Sequence, residues 1–272
     1  MEKEPLRQPA VAGSFYSGTA PDLEREVTGY LSGDLNPERA MAAVMPHAGY
    51  TYSGAVAGET AAAIRIPREV IILGPNHTGL GAAVSVFPGG YWRMPFGDVP
   101  VNKSLAHQII DECELPVPDE MAHANEHSLE VILPFLYYAG GKDLSFVPIT
   151  LSRISRDECR ILGEDLSRVI ASRNEEILLV SSSDMTHYES HDSAKAKDSD
   201  AISRILDMDP DGLIEVVSRR RITMCGIIPT AVMLYAAIGL GATKARLVRY
   251  ATSGEVSGDY DQVVGYAGII VN

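Results

Sequence analysis

Five short stretches, MAAVM (41–45), EVIIL (69–73), LSFVPITL (144–151), EILLVSS (176–182) and ARLVRYATS (245–253), are rich in β-branched and aliphatic residues and bounded by turn residues. Each reads as a strand. Between them lie segments with helical spacing and helix signals: PDLEREVTGYL after Thr19, SLAHQIIDE after Asn102, RDECRILGEDLSRVI after Ser155 and PTAVMLYAAIGLG closing on glycines. Ser53-Gly54 leads into AVAGETAAAI, also helical by composition. Strands that alternate with helices predict a mostly parallel or mixed sheet covered by helices on both faces, a three-layer α/β/α sandwich. DYDQVVGYAGIIVN adds a final strand, antiparallel to its neighbours, and the Gly- and Pro-rich PGGYWRMPFGDVPVN (88–102) reads as a loop or hairpin near the surface. No internal repeat, low-complexity tract or long linker interrupts residues 1–272, so one domain is expected.

Charge restricts the partners. With 23 basic and 36 acidic residues the net charge is −13, which repels nucleic acid and anionic membrane surfaces on average. The densest basic stretch, Arg219-Arg220-Arg221, follows an apolar helical pattern, where cations complement a helix C-terminus. The three cysteines, Cys113, Cys159 and Cys225, are an odd, scattered set without a CxxC pair, and read as reduced thiols. No apolar run reaches the roughly 18 residues of a membrane helix, and MEKEPLRQPAVAGSFYSG carries charges of both signs without a signal-peptide core. A cytoplasmic location is expected. Oligomeric state is not legible, because an apolar helix face looks the same against the sheet or against a second subunit.

Polar residues recur where strands end. His47 follows one strand in VMPHAGYTYSG, His77 a second in IILGPNHTG, and Asp184 and His187 a third in LLVSSSDMTHYE. In an open α/β sheet, ligands bind beyond the carboxyl ends of the strands. Any one histidine alone reads as an ordinary loop residue; three strands delivering ionisable groups to one edge read as a site. Imidazole, carboxylate and thiolate together are the ingredients of a transition-metal centre. Cys225 precedes a Pro-started apolar helix, whose N-terminus favours the thiolate. Cys113 and Cys159 fall inside helical patterns and read as inert. HANEHSLEVILPFL places His123, Glu126 and His127 ahead of a helix that Ser128 or Asn125 can cap. Glu126 and His127 read equally as a dipole-compensating helix start and as groups supporting or binding a ligand. His107 and His191 read as solvated. GPNHTGLG is neither a P-loop nor GxGxxG, and HExxH and GxSxG are absent. Trp92 and the tyrosines show no interleaving with basic residues that would suggest an RNA platform.

Seven ordered stretches, AVAGSFYSG, MPHAGYTYSG, ILGPNHTG, NEHSLEVILPFL, VPI, SSSDMTHY and CGIIPTAVML, closely resemble the Memo family, whose prokaryotic members are also called AmmeMemoRadiSam system protein B. The resemblance runs from about residue 7 to the end. It implies a fold like that of the class III extradiol dioxygenases, non-haem Fe(II) enzymes that hold iron with two histidines and a glutamate and use another histidine as acid/base. Carried onto this chain, His47 and His77 match the histidine ligands, Cys225 takes the carboxylate's place, and His187 matches the acid/base. His127 and Asp184 look like pocket residues. A thiolate shifts the preference toward iron, copper or zinc in a more covalent site and is itself oxidisable, which argues against ring opening. Eukaryotic relatives are known as signalling effectors that bind phosphotyrosine peptides and metals, and in redox control.

Three functions follow as expectations. The first is a non-haem iron- or copper-dependent redox protein, zinc being the remaining candidate, with His187 moving protons, Asp184 orienting it or binding substrate, and Asn76 and Tyr50 supplying hydrogen bonds beside the ligands. The second is a metal-free cysteine enzyme built on Cys225, His187 and Asp184. The third is a non-catalytic module in which the same pocket receives a peptide or small ligand.

Overall fold

The computed structural model describes residues 4–31 and 36–272; the first three residues of the amino-terminal stretch read above lie outside them. In chain order the elements are β1 (Leu6–Arg7), α1 (Ala20–Leu31), β2 (Ala42–Met45), α2 (Tyr50–Ala62), β3 (Glu69–Pro75), β4 (Val84–Val86), β5 (Tyr91–Met94), β6 (Gly97–Pro100), α3 (Lys103–Glu112), β7 (Val117–Pro118) and α4 (Ser128–Gly140). The second half runs β8 (Ser145–Leu151), α5 (Arg156–Ala171), β9 (Ile177–Ser182), β10 (His187–Glu189), α6 (His191–Leu206), α7 (Pro210–Arg220), α8 (Ile227–Gly239), β11 (Ala245–Thr252), α9 (Gly254–Ser257) and β12 (Val263–Val271).

The main sheet follows the order β10-β12-β2-β9-β3-β8-β4-β7, with β11 also on β12. Its centre is parallel: β2, β9, β3 and β8 pair in one direction. The flanks are mixed, because β12 joins β2 antiparallel and β4 joins β8 antiparallel. Successive side chains of a strand point to opposite faces, and that alternation sorts the core in two. Val44, Ile71, Leu73, Val147, Ile149 and Leu179 pack with residues of α3, α5, α6, α7 and α8. Ala43, Met45, Val70, Ile72, Leu178 and Val180 pack with α1, α2 and α4. A central mixed sheet is thus flanked by helices on both faces. Among the described residues no helix is long and apolar enough to cross a membrane.

Local details depart from the sequence reading where packing overrides it. Residues 91–100 do form a hairpin, but Trp92 is fully buried and Met94 and Val99 nearly so, because the hairpin lays alternate residues onto the sheet. Helix α2 begins at Tyr50 rather than beyond Ser53, and α8 begins two residues before Pro229. Neither Ser128 nor Asn125 caps α4: the Ser128 hydroxyl donates to the Pro75 carbonyl at 3.1 Å and Asn125 is exposed. The Glu126 carboxylate caps instead, accepting from the His127 and Ser128 N–H groups at 2.9 Å each. His191, expected to be solvated, is half-buried with Nδ1 3.0 Å from the Thr252 hydroxyl.

Candidate metal centre

Because β2, β3 and β9 run parallel, their carboxyl ends lie at one edge of the sheet. His47 stands two residues past Met45, His77 two past Pro75 and Asp184 two past Ser182, the last residues of those strands. Cys225 arrives from the connection between α7 and α8, and it is held close because the next residue is glycine. A Cβ on Gly226 would lie 2.4 Å from both the Ser182 carbonyl oxygen and the Ser183 Cβ. The Asp184 N–H donates to the Cys225 Sγ at 3.2 Å.

Each imidazole is anchored through Nδ1. The Ser182 hydroxyl donates its only proton to the Ser128 carbonyl at 2.7 Å, so at 2.7 Å from His47 Nδ1 its oxygen must accept. His47 Nδ1 therefore carries the hydrogen, and its lone pair sits on Nε2, which is 3.4 Å from the Cys225 Sγ. His77 Nδ1 donates to Glu126 Oε1 at 2.9 Å, which likewise leaves Nε2 free. One donor atom from each of His47, His77 and Cys225 lies within 4.8 Å of the others. Three atoms so placed share a centre no more than about 2.8 Å from each, a small contraction away from the roughly 2.0–2.3 Å of metal–nitrogen and metal–sulfur bonds. Neutral imidazoles with acceptor-bound Nδ1–H groups, plus a thiol sulfur, form a donor set that fits a transition metal. His77, Glu126 and His127 also cluster within that distance. There, however, Glu126 is already taken up by the N–H groups of His77, His127 and Ser128 as well as by the His77 ring.

Beside these groups is a cavity of about 290 Å³ bordered by Phe15, His127, Asp184, His187, Tyr188 and Tyr266 as well as the two ligand-type histidines. His127 stacks on His77 with centroids 4.8 Å apart and meets the edge of Phe15 at 5.0 Å. Burial, then the neighbouring imidazoles, pushes the His47 pKa well below its ordinary value, so this ring is a neutral ligand. Burial also lowers His77, but the Glu126 hydrogen bond together with the Glu126 and Asp184 charges outweighs it and the net shift is upward. Burial raises Cys225 and Asp184 above their ordinary ranges. The helix N-terminus thus does not overcome desolvation at Cys225, and a cation is what would favour its thiolate there.

Some expected residues sit elsewhere. Tyr50 is buried in an aromatic cluster with Tyr16, Tyr30 and Phe135, and its hydroxyl donates to the Val131 carbonyl at 2.7 Å. Asn76 orders its own loop: Oδ1 accepts from the Gly79 N–H and Nδ2 donates to the Leu80 carbonyl. Asp184 accepts the His47 N–H at 2.8 Å, whereas His187 is bound to Thr223 through both its backbone N–H and its ring Nδ1. Among the described residues no hydrogen bond joins His187 to Cys225, so a cysteine–histidine–aspartate relay is not assembled. Ser182, Thr223 and Phe15 escaped the sequence reading. Phe15 lies in AVAGSFYSG, Ser182 in SSSDMTHY and Thr223 two residues before Cys225, which are the signals that could have found them.

A family of Memo-like proteins matches residues 7–270. The chain belongs to the Memo-like protein family. It is 41% identical over 277 residues to a MEMO1 family protein of Methanopyrus kandleri, an alignment covering 97% of this chain and 98% of that one. It is 39% identical over 267 residues to a MEMO1 family protein of Methanosarcina acetivorans, covering 98% and 99%. Among solved structures, an uncharacterized protein from Escherichia coli K12 aligns with a TM-score of 0.58 at 14% identity, covering 85% of this Memo-like chain and 100% of that one, a likeness of fold alone.

Proposed function

We propose that this Memo-like protein is a metal-dependent redox protein of the cytoplasm, binding iron or copper through His47, His77 and Cys225. The observation that carries the reading is the 3.4 Å approach of His47 Nε2 to the Cys225 Sγ, with Nδ1 spent on Ser182. Sulfur and nitrogen bound to one metal at tetrahedral angles lie about 3.5 Å apart. Three protein donors leave positions for a small ligand, and the bound metal supplies electron transfer and Lewis acidity. Zinc fits the same donors but is redox-silent.

The chain's own residues do the rest. Glu126 and Ser182 hold the imidazoles in one tautomer, Phe15 and Tyr266 wall the cavity with apolar surface, and His187 accepts or returns a proton at Nε2. A dioxygenase-like pocket is part of this reading; ring opening is not, because a thiolate stands where a carboxylate is expected. The unpaired state of all three cysteines supports a reducing compartment. A second reading, a pocket that binds a small ligand or peptide without chemistry, is favoured by Tyr188, which stands 74% exposed at the cavity rim.

Elemental analysis after anaerobic, chelator-free purification tests the first reading. About one equivalent of iron or copper in the native protein, lost in Cys225→Ala and His77→Ala, supports it. Failure to take up either metal even on anaerobic reconstitution rejects it, leaving ligand titration of the rim to test the second.

A further inference from the structure

His187 and Thr223 are joined by three contacts. The His187 N–H donates to the Thr223 Oγ1 at 2.7 Å, the His187 Nδ1 lies 2.9 Å from the Thr223 carbonyl oxygen, and the Thr223 hydroxyl reaches toward the His187 carbonyl at 3.4 Å. A carbonyl oxygen can only accept, so Nδ1 carries the hydrogen and Nε2 keeps the lone pair. His187 faces Val264 of β12, but its own N–H goes to Thr223 rather than into the ladder. The β10–β12 register shifts between His187 and Glu189, and the intervening Tyr188 has φ of +57°, an uncommon conformation for a bulky side chain. Of the acids flanking it, Asp184 is engaged with the His47 N–H, and Glu189 with Ser193 and Lys197.

We infer that Thr223 is the positioning residue for proton transfer in this site, holding His187 in the Nδ1–H tautomer with Nε2 as the proton acceptor beside the cavity. Nδ1 thus plays the same part in His187 as in His47 and His77, with Thr223 as the partner in place of Ser182 or Glu126. The orienting oxygen differs in one respect. It is a backbone carbonyl rather than a hydroxyl or a carboxylate, and it fixes the tautomer because it can only accept. Thr223 stands two residues before Cys225, with buried Met224 between them, so one short segment presents the thiol and orients the base. The inference rests on the redox reading only for the proton's destination; the tautomer belongs to the protein without metal.

The test is a long-range ¹H–¹⁵N correlation spectrum of the uniformly labelled, metal-free full chain above the range where imidazole protonates, with His187 assigned by His187→Gln. The wild type is expected to show the Nδ1–H pattern. Thr223→Val keeps the carbonyl that faces Nδ1 but removes the hydroxyl that accepts the His187 N–H and so holds the ring against that carbonyl; part of the ring population is expected to pass to the Nε2–H form that free imidazole prefers, while Thr223→Ser restores the wild-type pattern. An Nε2–H signal in the wild type, or an unchanged Nδ1–H pattern in Thr223→Val, overturns the inference. The wild-type spectrum decides even where the valine variant does not fold. A protein that binds no metal yet shows these tautomer shifts would lose the redox reading and keep this one.

Discussion

Glu126 grips His77 at two points, one carboxylate oxygen taking the ring Nδ1–H at 2.9 Å and the other the backbone N–H of the same residue. The carboxylate is fully buried, and it also closes the first turn of α4 by accepting from His127 and Ser128. Burial pulls its pKa up, but the His77 hydrogen bond and the backbone donors outweigh that and hold it at about 2. A single charge thus aims a ligand-type imidazole and starts a helix.

Glu126→Gln keeps the volume, removes the charge and sets an amide NH₂ among N–H donors. Metal affinity, read by chelator competition, is expected to fall about 10- to 100-fold, the usual effect of losing a group that orients a ligand. Denaturant unfolding is expected to show a loss of about 1–3 kcal/mol from the unsatisfied donors. Unchanged affinity would mean that His77 needs no orienting carboxylate.

Gly226→Ala probes the approach of the cysteine-bearing segment to β9. Since the added Cβ would fall 2.4 Å from the Ser182 carbonyl oxygen, the backbone must retreat and Cys225 with it. A destabilisation of about 2 kcal/mol or more is expected, together with metal loss greater than stability alone explains, compared by thermal unfolding and elemental analysis. A variant as stable and as metal-loaded as the wild type would refute the close packing.

His123 makes stability depend on pH. It is fully buried, Nε2 is 3.2 Å from the Ser85 carbonyl oxygen, Nδ1 is 3.0 Å from the Thr150 hydroxyl, and desolvation lowers its pKa to about 4. The unfolded chain protonates this residue near pH 6.5 and the folded chain only near 4, so between those values the unfolded state binds more protons. Stability is present in full above about pH 6.5 and falls as pH drops toward 4, by roughly 3 kcal/mol in all. Urea unfolding across this window is expected to show the slope, and His123→Gln to flatten that part of it; equal slopes in the two proteins would assign the effect elsewhere.

The amino-terminal segment is tied down by a second buried carboxylate. Glu130 pairs with Arg7, accepts the Ala10 and Val11 N–H groups at 2.8 and 3.1 Å, and takes the Tyr16 hydroxyl. Arg7→Met leaves Glu130 buried without its cation and is expected to cost about 3–5 kcal/mol. Hydrogen exchange is expected to rise first in residues 10–16, which carry Phe15 to the cavity wall. Uniform exchange across the chain would show that the pair stabilises the fold without holding that segment.

Much was legible in the residues themselves. Side-chain period and turn residues encode strands and helices locally, so the alternation from Ala42 to Val271, the Asn102 and Ser155 caps and the polar residues ending three strands could all be read along the chain. Seven motifs in order were enough to indicate the family. Hydrogen-bond partners are different, because they are settled by competition among groups that only folding brings together. Cys225 meets His47 across 178 positions of chain, and Glu126 meets His77 across 49. Asp184 turned to His47 and left His187 to Thr223, while Tyr50 spent its hydroxyl on Val131. Sequence alone determined which chemical groups reach the carboxyl edge of the sheet; only the tertiary structure decided which of them face one another, since nearness along the chain does not say which lone pair a buried donor will find.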